Sequence, residues 1–240
     1  ANVGSAAFRN SSGQLTLADS SAVTTFTATA DTDDINFNNI TANGAVSLTG
    51  TTIATALNIT TGGVLTLGSA ERIGSATLLN VNAGELALGA FDNTVGALTL
   101  QGGGLLSGTG TLTAATYALQ GGTVTANLGA GTATVTLGNT LLNGLLGAAA
   151  VNIDSGSLML GGVNRLAGGA TVTLGGGTLD SGANATAVTT LQLNSGLVTG
   201  AGLLTATTYN LLTGEVAGAL GAGTANVTGA VSLTGTTAAT

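Results

Sequence analysis

Apolar residues recur along this chain in two interleaved phases, each advancing by about nineteen residues. One phase runs through Leu15, Ile35, Leu57, Leu79, Leu98, Tyr117, Val135, Ile153, Val172, Leu191, Tyr209 and Val227. The other runs through Phe26, Val46, Leu67, Leu86, Leu105, Val124, Leu141, Leu158, Leu179, Leu197, Val216 and Leu233. Around these centres apolar and polar residues alternate with period two, as in Leu65-Thr66-Leu67, Thr134-Val135-Thr136 and Leu191-Gln192-Leu193. That alternation predicts short strands with their apolar side chains turned inward. Gly, Asn, Asp and Ser fill the intervals and supply corners, and no stretch sustains a helical pattern. A backbone that turns every few residues cannot satisfy its own N–H and C=O groups, so each coil must bond to the coils above and below it. The pattern therefore predicts an all-β parallel β-solenoid with at least two strands per coil.

A second, longer repeat lies over the first. Leu65, Leu67, Gly68, Arg72, Leu86, Val95, Leu98 and Leu100 return as Leu158, Leu160, Gly161, Arg165, Leu179, Val188, Leu191 and Leu193, an offset of 165 − 72 = 93. Gly108, Leu112, Tyr117, Gly129, Gly131 and Val135 return one residue sooner, as Gly200, Leu204, Tyr209, Gly221, Gly223 and Val227. The run from Gly44 to Thr52 reappears unchanged from Gly229 to Thr237. The expected organisation is one continuous solenoid: residues 1–43 less regular, a first long repeat over 44–136, a second over 137–228, and the start of a third over 229–240. About five coils make one long repeat, and roughly thirteen coils at about 4.8 Å each would form a rod of about 60 Å. Because the pattern stops in mid-repeat at Thr240, the expectation is a longer parent chain or a second copy stacked end to end.

Composition narrows the chemistry. Apolar residues make up 44% and charged residues 5% of the 240, and the core must be aliphatic because there are four Phe, two Tyr and no Trp. The chain has no His, Cys, Pro or Lys, and its cations are Arg9, Arg72 and Arg165. A net charge of −7 with no cluster of cations argues against nucleic acid as a partner. No apolar run approaches the roughly 20 residues of a membrane-spanning helix, so no membrane insertion is expected. Absence of cysteine suits a protein exported unfolded and folded outside the cell without disulfides.

Phrases such as Asn93-Thr94-Val95-Gly96-Ala97-Leu98-Thr99-Leu100, Gly108-Thr109-Gly110-Thr111-Leu112-Thr113 and Gly122-Thr123-Val124-Thr125-Ala126-Asn127-Leu128-Gly129 resemble the degenerate repeats of filamentous-haemagglutinin-like and autotransporter-type bacterial surface proteins. The resemblance covers most of the chain. It implies right-handed coiling, secretion across a Gram-negative outer membrane to the cell surface, and an adhesive or filament-forming role.

Few side chains offer other chemistry. Asp31, Asp33 and Asp34, with Asn38 and Asn39, form the one candidate Ca²⁺ site, since Ca²⁺ takes six to eight oxygen ligands; no other cofactor is expected. Glu85, Asp92, Asp154, Asp180 and Glu215 fall in different coils, whereas sugar-cleaving chemistry needs a carboxylate pair, so no enzyme is expected. Arg72 and Arg165 are equivalent, and the reading for both is a corner arginine bonding backbone carbonyls or a nearby acid. Thr123–Thr125, Thr134–Thr136 and Thr171–Thr173 raise an ice-binding reading, but a coil centred on Ile153 interrupts the ladder. The expected function is an extracellular structural segment, an adhesin stalk or filament. The alternative is a solenoid that binds a carbohydrate or host surface, for which Tyr117 and Tyr209 are the aromatics to inspect.

Overall fold

In the computed structural model the chain is all β: parallel strands stack into a β-solenoid of about ten turns with about 18 residues per turn, without a helix among the described residues. The structure describes the backbone of residues 14–17, 25–28, 35–42, 45–48 and 52–240, and side chains from residue 56. The candidate Ca²⁺ residues Asp31, Asp33 and Asp34 lie outside the described residues.

Each full coil has three sides, one more strand than the two apolar phases had located. The strand Thr111–Val124 shows the plan. Residues 112–114 pair with 93–95 on the first side, 116–120 with 97–101 on the second, and 122–124 with 104–106 on the third. Inward positions form columns along the axis. On the second side one column runs Leu57, Leu79, Leu98, Tyr117, Ala133, Val151, Val172, Leu191, Tyr209, Ala225. Its residues from Leu57 to Tyr209 are at most 1% exposed. Stacked side chains at one spacing make a core that is continuous along the axis and only a few side chains wide, which is how a largely aliphatic palette fills an interior with two buried tyrosines as its aromatics.

The two tyrosines set the local register. Tyr117 and Tyr209 are the largest buried side chains, and each pairs in the next coil with an alanine, Ala133 and Ala225. The coil before each tyrosine presents a leucine, Leu98 or Leu191, so the room for the ring is made on the other side, where the alanine is small. The consequence is a short coil after each tyrosine: 133 − 117 = 16 and 225 − 209 = 16 residues, against 117 − 98 = 19 before the first. The apolar phase had placed Val135 above Tyr117 and Val227 above Tyr209. Instead Val135 stacks on Leu119 and Val227 on Leu211, in the parallel inward column two residues along.

Where two apolar residues are adjacent, period-two alternation alone leaves their direction open. Leu105, Leu141 and Leu197, expected inward on the third side, are half-buried. Their neighbours Leu106, Leu142 and Val198 are at most 1% exposed and occupy the core. Backbone pairing to the coils on either side decides the matter, with Leu106 on Leu86 and Val124, and Val198 on Leu179 and Val216.

On the second side the expected phase holds for four residues that make a direct test. Leu98 and Leu191 are 1% and 0% exposed, while Thr99 and Gln192 face outward beside them. Leu98→Asp or Leu191→Asp should lower stability by about 3 kcal/mol or more by burying an unpaired charge, whereas Thr99→Asp or Gln192→Asp should stay within about 0.5 kcal/mol. Denaturant unfolding followed by circular dichroism reads the difference, and equal tolerance at all four positions would overturn the inward assignment.

Candidate functional site

The six described carboxylates are spread along the solenoid, and all but Asp154 bond to it. Glu71 accepts the Thr94 backbone N–H at 3.0 Å and the Thr94 hydroxyl at 3.2 Å in the next coil. Asp92 accepts the Thr111 N–H at 2.7 Å. Glu85 accepts from the Ser107 hydroxyl and Glu215 from that of Thr234, again one coil on. Asp180 accepts the Gly182 N–H at 2.7 Å and shapes its own corner. Charge-assisted bonds of this kind tie backbone or hydroxyl donors that strand pairing leaves over. Asp180 and Glu215 share the third side but stand two coils apart, on either side of the coil that holds Leu197 and Thr199. Among the described residues no three His, Cys, Asp or Glu gather in a group suited to a metal ion.

The equivalence of Arg72 and Arg165 extends to their corners. Glu71 and Asn164, the residues before them, have φ of 53° and 50°, and their N–H groups bond Asp92 O and Ala185 O, the same 93-residue relation. Arg72 Nε donates to the Ala70 carbonyl at 2.9 Å, the backbone role expected of it. Arg165 lies against Gly162, where an added Cβ would meet its Nε at 2.5 Å.

One buried polar residue was not singled out from sequence. Asn93 is 1% exposed at an inward position of the first side, where Leu112 stacks on it. Its amide accepts the Ile73 N–H at 3.0 Å and donates to the Ile73 carbonyl at 3.1 Å, so the side chain completes a coil junction as a backbone strand would. Its equivalent one long repeat later is Thr186, 2% exposed, whose hydroxyl is buried without a hydrogen-bond partner. The signal available in the sequence was polarity at a column otherwise filled by Leu112, Leu128, Leu146 and Leu166. Asn93→Leu should lower stability by about 2 kcal/mol or more by orphaning both Ile73 backbone groups, whereas Thr186→Val should be neutral or stabilising by up to about 1 kcal/mol. Thermal melts of the two single variants measure the contrast.

Tyr117 and Tyr209 point into the coil and do not form an aromatic platform on the surface. Tyr117 Oη accepts the Ala114 N–H at 2.9 Å and directs its proton toward the carbonyls of Leu112 and Ala130, both at 3.2 Å. Tyr209 Oη repeats the arrangement with Ala206 N at 2.9 Å, Leu204 O at 2.9 Å and Gly221 O at 3.0 Å. Each phenol thus clamps the corner of its own coil to the coil above. Room for the ring comes from Gly131 and Gly223, where an added Cβ would lie 2.8 Å from the ring and closer still to a backbone carbonyl. The spacing is legible afterwards as Leu-Thr-Ala-x-Thr-Tyr with Gly at 131 − 117 = 14 residues and Ala at 16.

Burial pushes both phenols above their ordinary pKa of 10.0, against the smaller opposing effect of the backbone hydrogen bonds. The unfolded chain therefore loses these protons first, and the folded state binds more protons above about pH 10, so stability falls as pH rises through that range. The chain has no Lys or Cys, so the tyrosines are the side chains that titrate there. Stability measured from pH 8 to 12 should be level to about pH 10 and then fall, and in Tyr117→Phe/Tyr209→Phe the fall should disappear from a baseline lowered by about 1–3 kcal/mol per site. Persistence of the alkaline loss in the double variant would remove the phenols as its cause.

No protein-family model matches the chain, and neither a curated protein nor a solved structure does.

Proposed function

We propose that the chain is a non-catalytic structural segment of an extracellular repeat protein, an adhesin stalk or filament element at a bacterial surface, whose output is length and stiffness. The observation that carries this reading is the use of polar chemistry: the carboxylates Glu71, Glu85, Asp92 and Glu215 each bond to the next coil and converge on no common point. Resemblance to filamentous-haemagglutinin-like repeats adds the surface location and the export, and a core free of cysteine suits folding after export. Charged residues are few, so little in the surface titrates or screens with the surroundings. The alternative, a carbohydrate-binding side, has less to rest on with both tyrosine rings inside the coil.

If length is the output, it should scale with repeat number. A chain in which residues 44–136 are duplicated should lengthen by about 24 Å, five coils at about 4.8 Å, at unchanged cross-section. Small-angle scattering of the two chains measures both dimensions. A duplicated unit that leaves the long dimension unaltered, or thickens the particle, would sink the stalk reading.

A further inference from the structure

The outward positions of the second side form a two-column array. From the coil of Tyr117 onward the first column is Thr116, Thr132, Ala150, Thr171, Thr190, Thr208, Thr224. The second column, two residues along each strand, is Ala118, Thr134, Asn152, Thr173, Gln192, Asn210, Asn226. The threonine ladder is interrupted at the coil of Ile153, as the spacing of the triplets predicts. In the structure Thr132–Thr134 and Thr171–Thr173 occupy the same two columns, and the coil between them contributes Ala150 and Asn152 without displacing either column.

Three observations set this surface apart. None of its fourteen positions is charged, although the chain has a net charge of −7, and Asp154 stands at its edge two residues beyond Asn152. It keeps its register throughout: the shifts in the two long strand pairs fall after Gln120 and after Leu174, beyond its last residue. Its eight threonines turn outward, exposed or half-buried, while in the second column Gln192 donates to Asn194 at 2.8 Å and Asn226 to Asn210 at 2.9 Å. The threonines therefore present outward hydroxyls beside methyl groups, on β-branched side chains with restricted χ1. The steps are about 4.8 Å along the axis and about 6.6 Å along the strand.

A protein partner is poorly matched to this surface, which lacks the aromatic and arginine anchors that carry protein interfaces. A sugar lattice is poorly matched for want of an exposed ring, since Tyr117 and Tyr209 lie on the inner side of the same strands. What fits is a neutral, regular lattice of hydrogen-bonding groups that a charge would disrupt. We propose that the second side binds ordered water at the surface of ice, with Thr171, Thr190 and Thr208 at its centre. The proposal is independent of the stalk reading, because a rod of any function could carry such a side.

The test is partition of the full chain into slowly growing ice, with folding of every variant checked by circular dichroism. The native chain should concentrate in the ice, Thr171→Lys/Thr208→Lys should be excluded from it, and Thr123→Lys/Thr178→Lys on the third side should behave as the native chain. Should the first pair unfold the coil, Thr171→Val/Thr208→Val keeps the shape and should still show a loss of partition. Exclusion of the native chain from ice overturns the proposal. So does equal partition of all variants, or a self-association or adsorption to insoluble cellulose that the Thr171→Lys/Thr208→Lys pair abolishes while ice binding is absent.

Discussion

Backbone groups that only a neighbouring coil can satisfy govern everything else in this fold. With the bonds running along the axis, every inward position meets the same position one coil away, and a change of volume in one coil is felt at once in the next. The tyrosine-over-alanine pairs at Tyr117 and Ala133, and at Tyr209 and Ala225, are the clearest result. Each large ring meets a small partner in the following, shorter coil, and its hydroxyl bonds backbone groups at the corner between the two.

The same constraint explains where polar groups are tolerated. Inside, Asn93 is held by imitating backbone toward Ile73, whereas the smaller Thr186 hydroxyl is buried without a partner. Outside, carboxylates are placed where strand pairing runs out and an N–H or hydroxyl of the next coil needs an acceptor. Corners absorb differences in coil length, so the sides between them keep step. The regular outer array of the second side is thus a product of the core register, available to any ligand whose repeat matches it.

How much of this was legible in advance follows from which signals are local. Alternation in stretches such as Leu191-Gln192-Leu193 identified strands and their inward residues, and recurrence at about nineteen residues identified the coil. Neither signal ranks Leu105 against Leu106 or Leu141 against Leu142, because both members of each pair are apolar and the choice belongs to the neighbouring coils. The third strand of each coil was hidden by its brevity, a single bridge at Leu146 or Leu166. Burial of the tyrosines was implied by their place in the apolar phase, but the hydroxyl clamp required knowing where the corner brings Ala114 N–H and Ala206 N–H. The acids were read correctly as scattered; that they cap neighbouring coils depends on side-chain reach, which spacing does not encode.

Hydrogen bonds parallel to the axis also decide how the solenoid answers a pull. Tension between its two ends loads the coil junctions in series, so the weakest yields alone while the others stay closed. Each coil so released would exchange about 4.8 Å of rod for about 60 Å of extended chain, from about 18 residues at about 3.4 Å each. The fold is thereby a reserve of slack: rigid under small loads, it gives way by single coils under large ones, and the Asn93 and tyrosine clamps add side-chain bonds at their own junctions.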